Sequence, residues 1–190
     1  MKNLAIFVSG SGTNCENIIR YFQKSEDVRT VLVVSNREDA YALVRAKNLN
    51  VPAVVLKKDR FNDENVLLPL LREYNVDYVI LAGFLLMAPS FLIREYDHKI
   101  INIHPALLPN YGGKGMYGHH VHEAVLAGGE KESGATVHFV DEGVDTGNII
   151  LQRTVPVMED DTPDTLAARV LKIEHTILPE AVRRFCRDEL

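Results

Sequence analysis

Short apolar runs rich in β-branched residues alternate with amphipathic segments through the first half of the chain. The run "LAIFVS" (4–9) has the length of a buried strand, and "TNCENIIRYFQKS" (13–25) places Ile18, Ile19 and Phe22 on one face of a helix. Strands connected by helices form right-handed βαβ units around a parallel sheet, so few folds are possible. We predict an α/β fold, a Rossmann-like and mostly parallel twisted sheet with helices on both faces.

The second half of the chain follows a different pattern. The stretches "GATVHFV" (134–140) and "GNIILQRTVPV" (147–157) predict the two strands of an antiparallel hairpin. A long amphipathic helix is predicted from "TPDTLAARVLKIEHTILPEAVRRF", with Thr162 as its N-cap and Pro163 at the first helical position. Because no linker, repeat or low-complexity segment interrupts these patterns, we expect residues 1–190 to form a single domain.

The composition restricts the classes of partner. Apolar residues make up 46% and charged residues 25%, as in globular proteins, and the net charge of -5 gives no general attraction to nucleic acid or to anionic membranes. Cys15 and Cys186 are too few for a disulfide framework, and the first apolar run ends at Val8, too early for a signal peptide or a membrane span. We expect a cytoplasmic protein whose main partner is neither nucleic acid nor a membrane.

The segment "SGSGTN" (9–14) joins the first predicted strand to the first predicted helix. Its glycines allow a tight turn with exposed N–H groups, and a helix N-terminus attracts anions, so this is a candidate phosphate site. It is not a Walker loop, because no Gly-Lys-Ser/Thr follows. It is also a poor dinucleotide fingerprint, because Cys15 replaces the third glycine and "SNR" (35–37) lacks the expected acid. A purely structural turn is the alternative.

Polar side chains alternate with isoleucine in "INIHPALLPNYGGKG" (101–115), at the predicted end of a strand. Asn102 and His104 share a face because successive side chains of a strand point in opposite directions. An amide donor beside a titratable donor suits the stabilisation of an oxyanion at the carboxyl end of a strand, where open α/β sheets bind ligands. The alternative is a core histidine that hydrogen-bonds to backbone carbonyls.

Asp145 lies in the glycine-rich turn "DEGVDTG" (141–147). It is either a turn residue or, if it reaches His104, a carboxylate that raises the pKa of that histidine and favours the imidazolium. In "GHHVH", only His119 and His122 have one-turn helical spacing, and further ligands are not evident, so we predict no metal. Glu174, taken alone, predicts a solvated helix face.

Several motifs occur in the order found in one enzyme family. They are "SGSGTN", "VVSNR" (33–37), "LAGF" (81–84), "NIHPALLP" (102–109), "VHFVDEGVDTG" (137–147) and "IEH" (173–175). Through this ordered set, nearly the whole chain resembles the phosphoribosylglycinamide formyltransferases, folate-dependent enzymes of purine synthesis.

The resemblance implies a role for each matching position. Catalysis is implied for Asn102, His104 and Asp145. Ribotide binding is implied for Gly12, Thr13, Asn14, Leu171, Lys172, Ile173 and Glu174, which replaces the solvated-face interpretation of the last. Folate binding is implied for Leu85, Leu86, Met87, Ala88, Asn102, Asp141, Glu142, Gly143, Val144 and Asp145. The N-terminal half would bind the ribotide phosphate, and the C-terminal half would bind the folate and carry out the chemistry.

The resemblance implies a monomer or homodimer with small-molecule partners: phosphoribosylglycinamide and, as co-substrate, 10-formyltetrahydrofolate. We expect Asn102 and protonated His104 to donate to the tetrahedral oxyanion, while Asp145 keeps His104 charged and accepts the amine proton through water. Three alternatives are a formyltetrahydrofolate hydrolase with water as the acceptor, a methionyl-tRNA formyltransferase and a non-catalytic nucleotide-binding module. One position departs from the family: Glu64 stands where some members have an arginine near the glutamate tail of the folate, and Arg60, Lys57 or Lys58 are possible substitutes.

Overall fold

One sheet organises the part of the chain that the computed structural model describes, residues 1–187 and 189–190. Its strands are β1 (Lys2–Val8), β2 (Val28–Ser35), β3 (Ala53–Val55), β4 (Tyr78–Leu81), β5 (Ile100–His104), β6 (Glu132–Phe139) and β7 (Ile149–Pro156). Their spatial order is β3-β2-β1-β4-β5-β6-β7. The first five are parallel, whereas β6 and β7 form the antiparallel hairpin. The predicted α/β sheet is confirmed.

Helices connect the strands. They are α1 (Thr13–Phe22), α2 (Tyr41–Asn48), α3 (Lys58–Phe61), α4 (Glu64–Glu73), α5 (Ser90–Glu95), α6 (His119–Ala127) and α7 (Pro163–Cys186). The helices predicted at 13–25 and from Thr162 correspond to α1 and α7, whereas α3 and α5 were not predicted, because four to six residues are too few to show a helical period. Within the described residues, no helix is long and apolar enough to cross a membrane.

The central strand β1 explains why helices cover both faces of the sheet. Leu4, Ile6 and Val8 belong to the apolar core on one face, and Ala5 and Phe7 belong to the core on the other. All five are fully buried. A strand buried on both faces reads as a continuous apolar run, which is how "LAIFV" appears in the sequence.

The last helix, α7, ties the hairpin to the rest of the molecule. Thr162 caps it as predicted: its side chain accepts from the Thr165 N–H, the Thr165 hydroxyl accepts from the Thr162 N–H, and Pro163 opens the helix. The helix packs against β6, β7, α6 and α1. It therefore brings Glu174, from the end of the chain, beside the first helix.

The order of the strands fixes where a ligand can bind. The direction of chain progression reverses between β1 and β4, and open α/β sheets bind ligands in the crevice at the carboxyl ends of the strands next to such a point. The segments that leave β1, β4 and β5 there are 9–14, 82–88 and 105–118. These segments contain "SGSGTN" and parts of "LAGF" and "NIHPALLP".

Candidate active site

A cavity of about 780 Å³ opens at this reversal point. The segments 9–14, 81–88 and 102–105 form its walls at the strand ends. The loop 113–119 and the hairpin turn around Asp145 form another side, and α7 completes it. The cavity is thus built from both halves of the chain.

Most of the residues predicted to act at the site line this cavity. They are Gly12, Thr13, Asn14, Leu85, Leu86, Met87, Ala88, Asn102, His104, Asp141, Gly143, Val144, Asp145, Leu171 and Glu174. The structure places the remaining three, Glu142, Lys172 and Ile173, away from the wall. Glu142 accepts a hydrogen bond from Ser90 at 2.7 Å, Lys172 is exposed, and Ile173 packs against the apolar core. Leu171 and Glu174 both face the cavity because they lie one helical turn apart.

The loop after β1 presents the start of α1 to the cavity. Gly12 is the N-cap, with φ of 74° in the left-handed region and with no side chain to cap the first turn. A Cβ at this position would overlap the Cα and Cβ of Ala42. The loop is held from α2, where the Ala42 N–H donates to the Gly10 carbonyl at 3.1 Å and Arg45 donates to the Ser11 carbonyl at 2.8 Å. This fixed loop leaves the helix N–H groups available to an anion.

Asn14 and Glu174 form a buried pair across α1 and α7. The Asn14 amide donates to the Glu174 carboxyl at 2.6 Å, while the Asn14 Oδ1 is buried without a partner. Burial raises the pKa of Glu174, and the Asn14 hydrogen bond opposes this rise. The pair therefore offers polar groups with unused hydrogen-bonding capacity at the same side of the cavity as the loop after β1.

His104 lies at the end of β5 with both ring nitrogens beside polar groups. Its Nε2 is 2.7 Å from the Tyr111 carbonyl, and its Nδ1 is 3.5 Å from the Asp145 carboxylate. A carbonyl can only accept, so the hydrogen-bond geometry assigns a proton to Nε2. Any second proton on this ring must therefore be bound at Nδ1, next to Asp145.

Asp145 is both a turn residue and a partner of His104, so the two roles that the sequence analysis offered as alternatives occur together. Its φ is 57°, a left-handed conformation that aspartate tolerates better than most residues. Its carboxylate accepts from the Gly113 N–H at 3.0 Å and lies 3.6 Å from His138 Nε2. Burial acts to raise the pKa of Asp145, but His138, His104 and the Gly113 N–H together outweigh it and lower that pKa.

The charge of His104 differs from the sequence prediction. Burial lowers the pKa of His104, and this effect exceeds the opposing effects of Asp145 and of the Tyr111 carbonyl. Asp145 acts in the predicted direction, but it does not keep the imidazole charged in this structure. The side chain of His104 is only 4% exposed, so the desolvation of the imidazolium is the largest influence.

Two neighbouring histidines were not assigned a role from the sequence. His138, on β6, lies opposite Asn102 in the strand register, and its Nε2 is 3.2 Å from the Asn102 amide nitrogen. His122, on α6, lines the cavity and is buried, and burial together with His119 and His104 lowers its pKa to about 4. The alternation of side chains along β6 indicates that His138 shares a face with Thr136. The sequence does not show which strand lies next to β6, so it could not predict that His138 contacts Asn102.

Glu64, which stands where some family members have an arginine, and the basic residues considered as substitutes do not line the cavity. Lys57, Lys58, Arg60 and Glu64 are all absent from it, and Lys57 pairs with Glu38 at 2.8 Å. In residues 1–187 and 189–190, no three His, Cys, Asp or Glu side chains come together as a metal site.

The chain belongs to the formyl transferase family, whose model matches residues 2–182. It is 44% identical to the chloroplastic phosphoribosylglycinamide formyltransferase of Vigna unguiculata, over the whole of this chain and 62% of that protein. The chain thus spans less than two thirds of that relative. It is 37% identical to the phosphoribosylglycinamide formyltransferase of Haemophilus influenzae, over the whole of this chain and 90% of that protein.

Solved structures agree with this family assignment. The crystal structure of glycinamide ribonucleotide transformylase 1 from Symbiobacterium toebii superposes with a TM-score of 0.91 at 37% identity, covering 99% of this chain and 89% of that one. The phosphoribosylglycinamide formyltransferase of Anaplasma phagocytophilum gives a TM-score of 0.90 at 36% identity, covering 98% and 88%. The relatives share the fold along almost the whole chain.

Proposed function

We propose that the protein transfers the formyl group of 10-formyltetrahydrofolate to the amine of phosphoribosylglycinamide. The observation that carries this proposal is the convergence of Asn102, His104 and Asp145 on one cavity that also contains the open start of α1. An oxyanion donor, a histidine with a carboxylate partner and a phosphate-binding loop are the parts that this reaction needs. A nucleotide-binding module would need only the last of them.

The ribotide is proposed to bind at the first half of the chain. Its phosphate would accept from the N–H groups at the start of α1, around Gly12 and Thr13, where the helix dipole favours negative charge. The Asn14–Glu174 pair lies on the same helix and would meet the ribose or the glycinamide with the unused Asn14 oxygen. These contacts leave the amine facing the end of β5.

The folate is proposed to bind between the loop 85–88 and the hairpin turn 141–145. Leu85 and Met87 line the cavity and expose about half of their surface, 51% and 60%, which suits a flat aromatic ring. The Ser9 hydroxyl holds this loop by accepting from the Leu85 N–H at 2.9 Å. The ring would therefore be recognised largely by backbone groups and apolar contact.

The proposed chemistry begins with attack of the neutral amine on the formyl carbon. A carbon–nitrogen bond forms, and the formyl oxygen becomes an oxyanion that accepts from the Asn102 amide. The negative charge on this oxygen and on Asp145 favours the imidazolium of His104, whose second proton is bound at Nδ1. Because its pKa is lowered, His104 takes up this proton from solvent water only as the oxyanion forms, and returns it to water when the oxyanion collapses to the formyl group of the product.

Asp145 is proposed to move the remaining proton. After attack, the nitrogen of the former amine carries one proton too many, and the carboxylate accepts it through a water molecule. The same proton then goes to the folate nitrogen as its bond to the formyl carbon breaks, so the products are the formylated glycinamide and tetrahydrofolate. The lowered pKa of Asp145 keeps it ionised at neutral pH and ready to accept.

The test is the change in folate absorbance on mixing the protein with 10-formyltetrahydrofolate, with and without the ribotide. We expect deformylation only when phosphoribosylglycinamide is present. Deformylation at the same rate without it would contradict the proposal and favour the hydrolase.

Substitution of Asn102 and of His104 tests their roles in the same assay. Loss of an oxyanion donor commonly lowers turnover by about 10²–10³-fold, so we expect at least that deficit for Asn102→Ala, and a deficit of similar size for His104→Ala, which removes the imidazolium that forms with the oxyanion. Near-normal turnover in both variants would show that the chemistry takes place elsewhere.

A further inference from the structure

His138 is a buried histidine beside the reacting groups, and the proposed chemistry gives it no part. It lies on β6 directly opposite Asn102 on β5, in an antiparallel pair whose facing side chains are neighbours. Its side chain is 3% exposed. Its ring touches both Asn102 and Asp145, at 3.2 Å and 3.6 Å.

The hydrogen bonds of His138 assign its tautomer. Its Nδ1 is 2.7 Å from the Phe139 carbonyl, and a carbonyl can only accept, so Nδ1 carries the proton. In the neutral ring the other nitrogen, Nε2, then carries a lone pair, and Asp145, whose nearer oxygen is 3.6 Å away, lies beyond hydrogen-bond distance of it. The Asn102 amide nitrogen, 3.2 Å away, can donate to that lone pair.

This contact orients the Asn102 amide. The Asn102 NH₂ group has two N–H bonds, and His138 uses one of them, which directs the NH₂ group rather than the carbonyl oxygen to this side of the site. The second N–H stays available for an oxyanion. If the amide turned by half a rotation, its carbonyl oxygen would face His138 Nε2, and two lone pairs would repel each other. The NH₂ group would then no longer be held where the proposed oxyanion needs a donor.

We infer that His138 is a positioning residue for formyl transfer: it acts through Asn102, by accepting one amide proton and so holding the other toward the substrate. This inference rests on the proposed function. His138 is among the residues that line the cavity, but the role inferred for it is exerted through Asn102 and not by binding either substrate. Its effect should therefore appear in turnover rather than in the binding of ribotide or folate.

The test compares two variants in two backgrounds. His138→Phe keeps a ring of similar size without an acceptor, and His138→Gln restores an acceptor oxygen near the position of Nε2. We expect His138→Phe to lower kcat by about 10–100-fold, the usual cost of a displaced catalytic group, with the KM of each substrate changed less than about threefold. We expect His138→Gln to recover most of the loss.

The background variant is Asn102→Ala, which removes the group through which His138 is inferred to act. In that background, His138→Phe should cause no further loss of kcat, because the two residues act as one unit. Equal losses in both backgrounds, or equal losses for His138→Phe and His138→Gln, would overturn the role. Absence of formyl transfer by the unmodified protein would instead overturn the proposed function, and this role with it.

A measurement without turnover supports the same comparison. The ¹⁵N chemical shifts of the His138 ring should show a protonated Nδ1 and an unprotonated Nε2 in the unmodified protein. A proton on Nε2 would contradict the inference, because that nitrogen could not then accept from Asn102.

Discussion

The charge of His104 depends on opposing influences at this one side chain. Its neutral form is favoured by burial, and its charged form is favoured by Asp145, which lies 3.5 Å from Nδ1. The Tyr111 carbonyl holds the other nitrogen and so decides where a second proton binds. In the proposed reaction, the negative charge of the oxyanion adds to that of Asp145, and together they raise the pKa of His104 enough to favour the imidazolium.

Replacement of Asp145 by asparagine should disturb this balance in a measurable direction. The variant loses the charge that raises the pKa of His104, so that pKa should fall further below its usual range, as followed by NMR titration of the ring. Turnover should fall by about 10²-fold or more, because proton transfer by a positioned group contributes on this order. Asp141→Asn, in the same turn, is the control for the titration. An unchanged His104 pKa in Asp145→Asn would contradict the account.

The turns that begin and end the elements give the site its shape. The loop before α1 uses a left-handed glycine that packs directly against α2, and the hairpin turn between β6 and β7 uses a left-handed aspartate that reaches β5. Helix α7 adds Glu174 from the far end of the chain. The site is thus formed where elements end, and each of these turns has a steric requirement that substitution can test.

Gly12→Ala should damage the loop before α1. A left-handed conformation costs an L-residue roughly 1–2 kcal/mol, and the new Cβ would also overlap Ala42. We expect a fall of at least about 1 kcal/mol in the free energy of unfolding in urea, and a raised KM for the ribotide, because the N–H groups at the start of α1 would be displaced from the proposed phosphate site. The control for stability is Gly10→Ala, because a Cβ at Gly10 meets no atom within 4 Å. Equal stability of the two variants would contradict the steric explanation.

Folding buries His122, and this burial disfavours its charged form. The pKa of His122 is lowered to about 4, from 6.5, mainly by burial. Between these two values the unfolded chain binds more protons than the folded one. Stability therefore falls as the pH drops through this range, and above it the contribution of this group disappears.

Removal of this histidine should make the protein less sensitive to acid. From the size of the shift in its pKa, His122 should lower the free energy of unfolding by roughly 2 kcal/mol as the pH falls from about 7 to about 5. Urea unfolding at the two pH values should show a smaller loss of stability for His122→Gln than for the unmodified protein. His120→Gln, an exposed position on the same helix, is the matched control. Identical losses in all three proteins would contradict the burial of a neutral His122.

The sequence predicted the α/β fold and, through the resemblance, that Asn102, His104 and Asp145 lie together. It did not predict the pKa of His104 or the contact between His138 and Asn102. Apolar runs and helical periods predicted the sheet, the hairpin and the Thr162 cap, because these depend on local patterns. The lowered pKa of His104 could not be predicted from a local pattern, because desolvation depends on how many elements surround the ring. His138 was missed because only strand pairing brings it to Asn102. Similarly, only the rotation of α7 shows that Lys172 points away from the cavity.

The central claim is that this cavity moves a formyl group from folate to an amine, and an isotope label follows that group directly. The protein is mixed with 10-formyltetrahydrofolate carrying ¹³C in the formyl group and with phosphoribosylglycinamide, and the carbon is followed by NMR. The account predicts that the label appears as the formamide of the ribotide in the unmodified protein and is strongly delayed in Asn102→Ala. Label released as formate, at a rate that does not depend on the ribotide, would contradict it.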